Sequence, residues 1–127
     1  MAESTFCEIF RPAAHLGWHA PAHRHAVLAQ TLYRESGRLP GRWVERIEIN
    51  EAFTAIVIVI MRQLGLPEDI VNVEGGAIAH GHPIGATGAV LTTRLIHSMR
   101  RDGLKRGIAT LCIGGGQGIA LALERLL

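Results

Sequence analysis

A chain of 127 residues and 13.8 kDa, 48% hydrophobic and 19% charged, has the length of one domain and enough apolar content for a core, which excludes wholesale disorder. Thirteen Lys and Arg against eleven Asp and Glu leave a net charge of +2, too small a surplus for the footprint of a nucleic-acid binder. The longest apolar run, Ala55 to Met61, is far short of the ~20 residues of a membrane-spanning helix, so neither nucleic acid nor membrane is an expected partner.

The chain divides near residue 40. Residues 1–40 begin Met-Ala-Glu-Ser-Thr-Phe-Cys, with neither the basic nor the apolar region of a secretory signal. They show no sustained apolar period, are interrupted by Pro12, Pro21 and Pro40, and hold His15, His19, His23 and His25. A short helix from about Pro21 to Ser36 would put Val27, Leu28 and Leu32 on one face. His15, His19 and His23 would align on a helix as metal ligands, but Gly17 and Pro21 argue against that helix and no carboxylate or thiol ligand is near. The reading is a solvated, partly disordered leader without a metal site. Cys7 and Cys112 are too distant in sequence for a redox or zinc pair, which points to a reducing, cytoplasmic compartment.

From residue 41 the pattern becomes regular. Trp43-Val44 and Ile47-Glu48-Ile49 read as a short strand ending at Asn50. Ala52 to Leu64 is β-branched at its centre, which favours a strand by propensity, but its length and the closing Gly65 and Pro67 favour a buried helix. Residues 69–83 read as a turn-rich loop. Ile84 to Arg101 reads as a helix with Ile84, Leu91, Leu95 and Met99 on one face, cations in its last turn and Gly103 as its stop. Ile108 to Ile113 and Ile119 to Leu123 are strands joined by the Gly114-Gly115-Gly116 turn into a hairpin. Strand, helix, loop, helix, strand, strand is half of a layered α/β domain with an incomplete mixed sheet.

Three segments carry chemistry. In Asn50-Glu51-Ala52-Phe53, the Asn stands at a strand-to-helix junction, where open α/β sheets place ligands; a helix N-cap is the alternative. In Gly81-His82-Pro83-Ile84-Gly85-Ala86-Thr87-Gly88, His82 precedes a helix N-terminus, placed to act as a base or hydrogen-bond donor; a buried structural histidine is the alternative. No Gly-Lys-Ser/Thr ending makes this run a phosphate loop. In Cys112-Ile113-Gly114-Gly115-Gly116-Gln117-Gly118, a thiol ends a strand and the glycine N–H groups can face a developing oxyanion; a small buried hydrophobe is the alternative reading of the cysteine.

In this order and at these separations the three segments resemble the C-terminal half of thiolases, over about residues 41–127. The resemblance implies a thiolase-like α/β half-domain and C-acyl transfer between CoA thioesters, by thiolysis or Claisen condensation, in fatty acid and lipid metabolism. His82 would activate the family's nucleophilic cysteine and help form an oxyanion hole in which Asn50 holds a water. Cys112 would shuttle a proton at the α-carbon of the acyl-CoA. The Gly114 N–H would belong to a second oxyanion hole, and Phe53 would line the acyl or pantetheine end. No cofactor is implied beyond the CoA thioester, which is substrate.

The nucleophile is where the resemblance stops. Cys7 is followed by Glu8-Ile9-Phe10, which does not match the family's nucleophile context, and the adjacent carboxylate is a poor setting for a thiolate. The family's CoA-binding loop and the first strands of its C-terminal half have no counterpart, and His80 replaces a small or apolar residue. The chain therefore reads as a severed half that needs a thiolase N-terminal half or self-association. The alternative is a truncated, non-catalytic remnant acting as an interaction module.

Overall fold

A computed structural model of the chain describes residues 5–10, 44–113 and 117–125. Strand β1 (Thr5–Phe10) is followed by β2 (Arg46–Ile49), helix α1 (Thr54–Leu64), a 3-10 turn (Glu68–Ile70) and the one-turn helix α2 (Ala77–His80). Helix α3 (Thr87–Arg101) leads into β3 (Arg106–Ile113) and β4 (Gln117–Arg125). The four strands form one mixed sheet in the order β1-β4-β3-β2. β2 and β3 are parallel, Arg46 opposite Gly107 and Ile49 opposite Thr110, while β3–β4 and β4–β1 are antiparallel. A parallel pair cannot be closed by a tight turn, so everything from α1 to α3 serves as the crossover between β2 and β3.

Strand alternation sends successive side chains to opposite faces, and each face has its own helix. Ile47 and Ile49 of β2, Ile108 of β3 and Ala120 and Ala122 of β4 pack with Ile56, Val57 and Ile60 of α1. Ala109 and Leu123 pack with Leu91, Leu95 and Met99 of α3 on the other face. Helix α1 thus forms despite its β-branched centre, because Ile56, Val57 and Ile60 share one buried stripe while Ile58 stays exposed. Propensity is the weaker force here, as expected when an apolar stripe can be buried.

The α3 face of β2 is polar. Arg46 donates to the Ser98 hydroxyl and to the Asp102 carboxylate, both at 2.8 Å, and the fully buried Glu48 lies 3.6 Å from the Arg94 guanidinium. Hydrogen bonding from Arg101, reinforced by Arg46, lowers the Asp102 carboxyl to about 2. Gly107 on β3 is the close-approach point beneath α3. A Cβ there would stand 2.7 Å from Leu95 Cδ1 and from Met99 Sδ, and 3.2 Å from the Arg46 carbonyl oxygen. Gly107→Ala is therefore expected to lower unfolding stability by about 1–3 kcal/mol, read as a reduced urea midpoint with an unchanged slope.

The structure departs from the sequence reading in three places. Ile84 is 85% exposed, because α3 starts only at Thr87 and the preceding residues run as a turn over the surface. The expected loop over residues 69–83 holds the end of the 3-10 turn and all of α2. Within the segment read as a leader, Thr5–Phe10 is a strand paired with β4, Thr5 opposite Arg125 and Phe10 opposite Ala120, so β4 has neighbours on both sides. The histidines at 15–25, the expected helix near 21–36, Trp43 and the turn 114–116 lie outside the described residues.

Candidate active site

Asn50 and His82 meet at the C-terminal ends of the parallel strands. Asn50 follows directly from β2, and its N–H donates to the Thr110 carbonyl of β3 at 2.9 Å, extending the ladder by one step. This fixes the backbone at the point where open α/β sheets gather ligands. The Asn50 side chain is fully buried; its Nδ2 lies 3.4 Å from His82 Nε2, and its Oδ1 is buried without a hydrogen-bond partner. Its side chain makes no N-cap bond: α1 begins later, at Thr54, after an extended Phe53.

His82 is exposed, not a buried structural histidine, yet both ring nitrogens are engaged. Nδ1 lies 2.7 Å from the hydroxyl of Thr87, which is fully buried, and that hydroxyl donates to the Pro83 carbonyl at 2.9 Å. A solvent-facing imidazole held by two buried side chains is open to a reacting group while its plane stays set.

The loop that carries His82 is tied to β2 by residues whose importance the sequence did not announce. Asn72 adopts a left-handed φ of 45°, accepts from the Ile49 N–H at 2.7 Å and donates to the Ile49 carbonyl at 2.9 Å. The Glu51 carboxylate accepts from Asn72 Nδ2 at 3.3 Å and from the Ile78 N–H at 2.9 Å. A Cβ on Gly76 would collide with that carboxylate, so a side chain there would displace Glu51 from its present contacts. Asn, the residue type most tolerant of the left-handed region after Gly, is the one signal that could have marked residue 72; Thr87 stood inside the quoted Gly81–Gly88 segment but was given no role.

Cys112 stands near the end of β3, half-buried, two positions beyond Thr110, whose carbonyl accepts from the Asn50 N–H. Both parallel strands therefore deliver candidate residues to the same edge of the sheet. Phe53, three residues after Asn50, is 73% exposed, and Ile78 and Ile84, on the segment that carries His82, are exposed at 65% and 85%. Gly114 lies outside the described residues. Among the described residues, no group of three or more His, Cys, Asp or Glu side chains could hold a metal ion. No described helix is long and apolar enough to cross a membrane.

A mixed sheet covered on both faces, with Asn50 and Cys112 at the C-terminal ends of its parallel pair and His82 beside Asn50, defines a layered α/β domain. Residues 24–125 match the family model for the thiolase C-terminal domain, which begins ahead of the boundary at residue 41. The chain belongs to the thiolase family. It is 55% identical over 82 residues to an acetyl-CoA acetyltransferase of Chromobacterium violaceum, covering 65% of this chain and 21% of that one. It is 51% identical over 82 residues to the cytosolic acetyl-CoA acetyltransferase of Rattus norvegicus, with the same two coverages of 65% and 21%. Among solved structures it is similar to the human mitochondrial 3-ketoacyl-CoA thiolase (TM-score 0.64, 43% identity, 66% of this chain and 21% of that one). It is also similar to the acetyl-CoA acetyltransferase of Bacillus anthracis (TM-score 0.73, 35% identity, 96% of this chain and 29% of that one). The chain thus spans about a fifth of the length of the curated relatives it matches.

Proposed function

We propose that this chain supplies the histidine and second-cysteine side of thiolase-type C-acyl transfer between CoA thioesters, with the nucleophilic cysteine provided by a thiolase N-terminal half. The Asn50–His82 pair carries the reading: a solvent-facing imidazole is linked to a buried Asn whose Oδ1 has no partner of its own. Nε2 of His82 takes the proton from the nucleophile's S–H, and the thiolate attacks the thioester carbonyl with departure of the thiolate leaving group. The protonated ring then donates to the developing oxyanion, helped by a water held on Asn50. Cys112 moves the proton at the α-carbon: its thiolate removes it in the condensation direction, and its thiol delivers it in thiolysis. The Gly114 N–H steadies the acyl-enzyme oxygen and Phe53 lines the acyl or pantetheine end. No resident cofactor takes part; the CoA thioester is the substrate. A related human mitochondrial thiolase has been solved in complex with CoA.

A cytoplasmic place in lipid metabolism follows from the same reading, in line with the cytosolic rat and mouse relatives. The exposed Phe53, Ile78 and Ile84 are apolar positions for a thiolase N-terminal half, or a second copy, to cover. The test is acetoacetyl-CoA thiolysis by the 127-residue chain, alone and mixed with a separately purified thiolase N-terminal half. No turnover is expected alone, and turnover is expected in the mixture. Robust turnover by the chain alone would overturn the division of roles. A stable complex without turnover would instead favour the non-catalytic interaction module.

A further inference from the structure

We infer that Thr87 is a positioning residue that locks His82 in the Nδ1–H tautomer, so that the lone pair of Nε2 faces the site. Resting on the reading of His82 as the base, this names the group that keeps it base-competent. A neutral imidazole carries one N–H, and the partner of one nitrogen decides which nitrogen holds it. The Thr87 hydroxyl has a single proton. Its distance of 2.9 Å to the Pro83 carbonyl, which has no proton to offer, commits that proton there. The oxygen is then left as an acceptor 2.7 Å from His82 Nδ1, a contact satisfied only if Nδ1 is the donor.

The other side of the ring agrees. The Asn50 amide group nearest Nε2, at 3.4 Å, is the donor Nδ2, which complements a lone pair and not an N–H. Proton direction therefore runs one way, from Asn50 toward Nε2 and from Nδ1 through Thr87 to Pro83.

Helix geometry makes the lock rigid. Thr87 opens α3, and its backbone N–H also donates to the Pro83 carbonyl at 2.9 Å, so both donors of one residue converge on a single oxygen. A threonine hydroxyl commonly returns its proton to the carbonyl four residues earlier, and β-branching leaves its χ1 few wells to choose from. Thr87 is fully buried, so water does not compete for its hydroxyl. When Nε2 takes a proton, Nδ1–H and the Thr87 bond persist, and the contact given up is the 3.4 Å one from Asn50 Nδ2.

The test is the ¹⁵N spectrum of the His82 ring in the uniformly labelled chain, at a pH high enough to keep the imidazole neutral. Signals are assigned by their loss in His82→Gln. In wild type, Nδ1 is expected to be pyrrole-like and Nε2 pyridine-like. Thr87→Ser should keep that pattern; Thr87→Val, and Thr87→Ala as the less bulky replacement, should shift the ring toward Nε2–H. Asn50→Ala should leave Nδ1–H in place. An Nε2–H ring in wild type overturns the inference, as does an unchanged pattern in either hydroxyl-free variant or its loss in Asn50→Ala. The readout involves no turnover, so failure of the proposed activity would appear separately, as an Nδ1–H ring in a mixture that does not thiolyse.

Discussion

His82→Ala, assembled with a nucleophile-bearing half, is expected to slow acylation of the partner's cysteine by about 10²–10⁴-fold. The substitution removes the base that takes the thiol proton and a donor to the oxyanion in one step. Cys112→Ser should behave differently. A serine hydroxyl is a far weaker acid than a thiol, so it does not supply the basic anion that α-proton removal needs. Acylation of the partner's cysteine does not require that proton transfer and should survive. Mass spectrometry of the trapped acyl-enzyme separates the two: heavy acylation in Cys112→Ser, little in His82→Ala. Equal trapping in both variants would refute the assignment of the two roles. Asn50→Ala should fall between, since it disturbs a water-mediated contact while the Thr87 bond to the ring remains.

The residues that meet at this site were legible in the sequence to different degrees, for physical reasons. Asn50 and His82 stood out because a polar residue at a strand end and an imidazole before a Pro-led helix entry are placed where ligands gather. The helix at Thr54–Leu64 was legible by length and by its Gly65 end, although its isoleucines and valines argued for a strand. Periodicity misled at Ile84, which continues the spacing of Leu91, Leu95 and Met99 but precedes the first helical turn and faces solvent. Pairing of Thr5–Phe10 with β4 was invisible, because its partner lies at the other end of the chain and a lone six-residue strand has no period of its own. Glu51 and Thr87 stood inside the quoted segments without a role and Asn72 outside them, for a common reason: each acts on a residue brought near by the fold, or on a single atom of a neighbour. Hydrogen-bond direction leaves no trace in spacing.

The largest effect on stability is expected from Arg94→Met. Glu48 is fully buried, neither of its carboxylate oxygens has a hydrogen-bond partner, and its nearest cation is Arg94 at 3.6 Å. Burial raises the Glu48 carboxyl above its ordinary 4.5, and the charges of Arg94 and Arg46 pull against that rise. A raised carboxyl binds its proton more tightly in the folded chain than in the unfolded one. Its contribution is therefore fully present below 4.5 and is lost as pH climbs through the raised value. Removing Arg94 takes away the chief opposing charge and pushes the carboxyl higher still, so the variant continues to lose stability over a range where wild type has levelled off. At neutral pH the expected cost is about 3 kcal/mol, the lower end for breaking a buried pair, because Glu48 can escape by taking a proton. In acid, with Glu48 neutral in both folded and unfolded chains, only the lost bond from Arg94 to the Gly75 carbonyl and the packing difference remain. Urea unfolding across pH, with Arg94→Met also made in a Glu48→Gln background, isolates the charge effect. In that background the pH-dependent part should vanish, because a neutral amide stands in place of the carboxylate. A penalty that is the same at every pH, or that is unchanged by Glu48→Gln, would sink the account. Because Arg94 also holds Gly75 in the loop that leads to His82, the variant couples a buried charge on β2 to the loop carrying His82. The Glu48→Gln chain, which keeps Arg94 on Gly75, should retain the His82 ring pattern even as its stability loses the part of the pH slope that comes from Glu48.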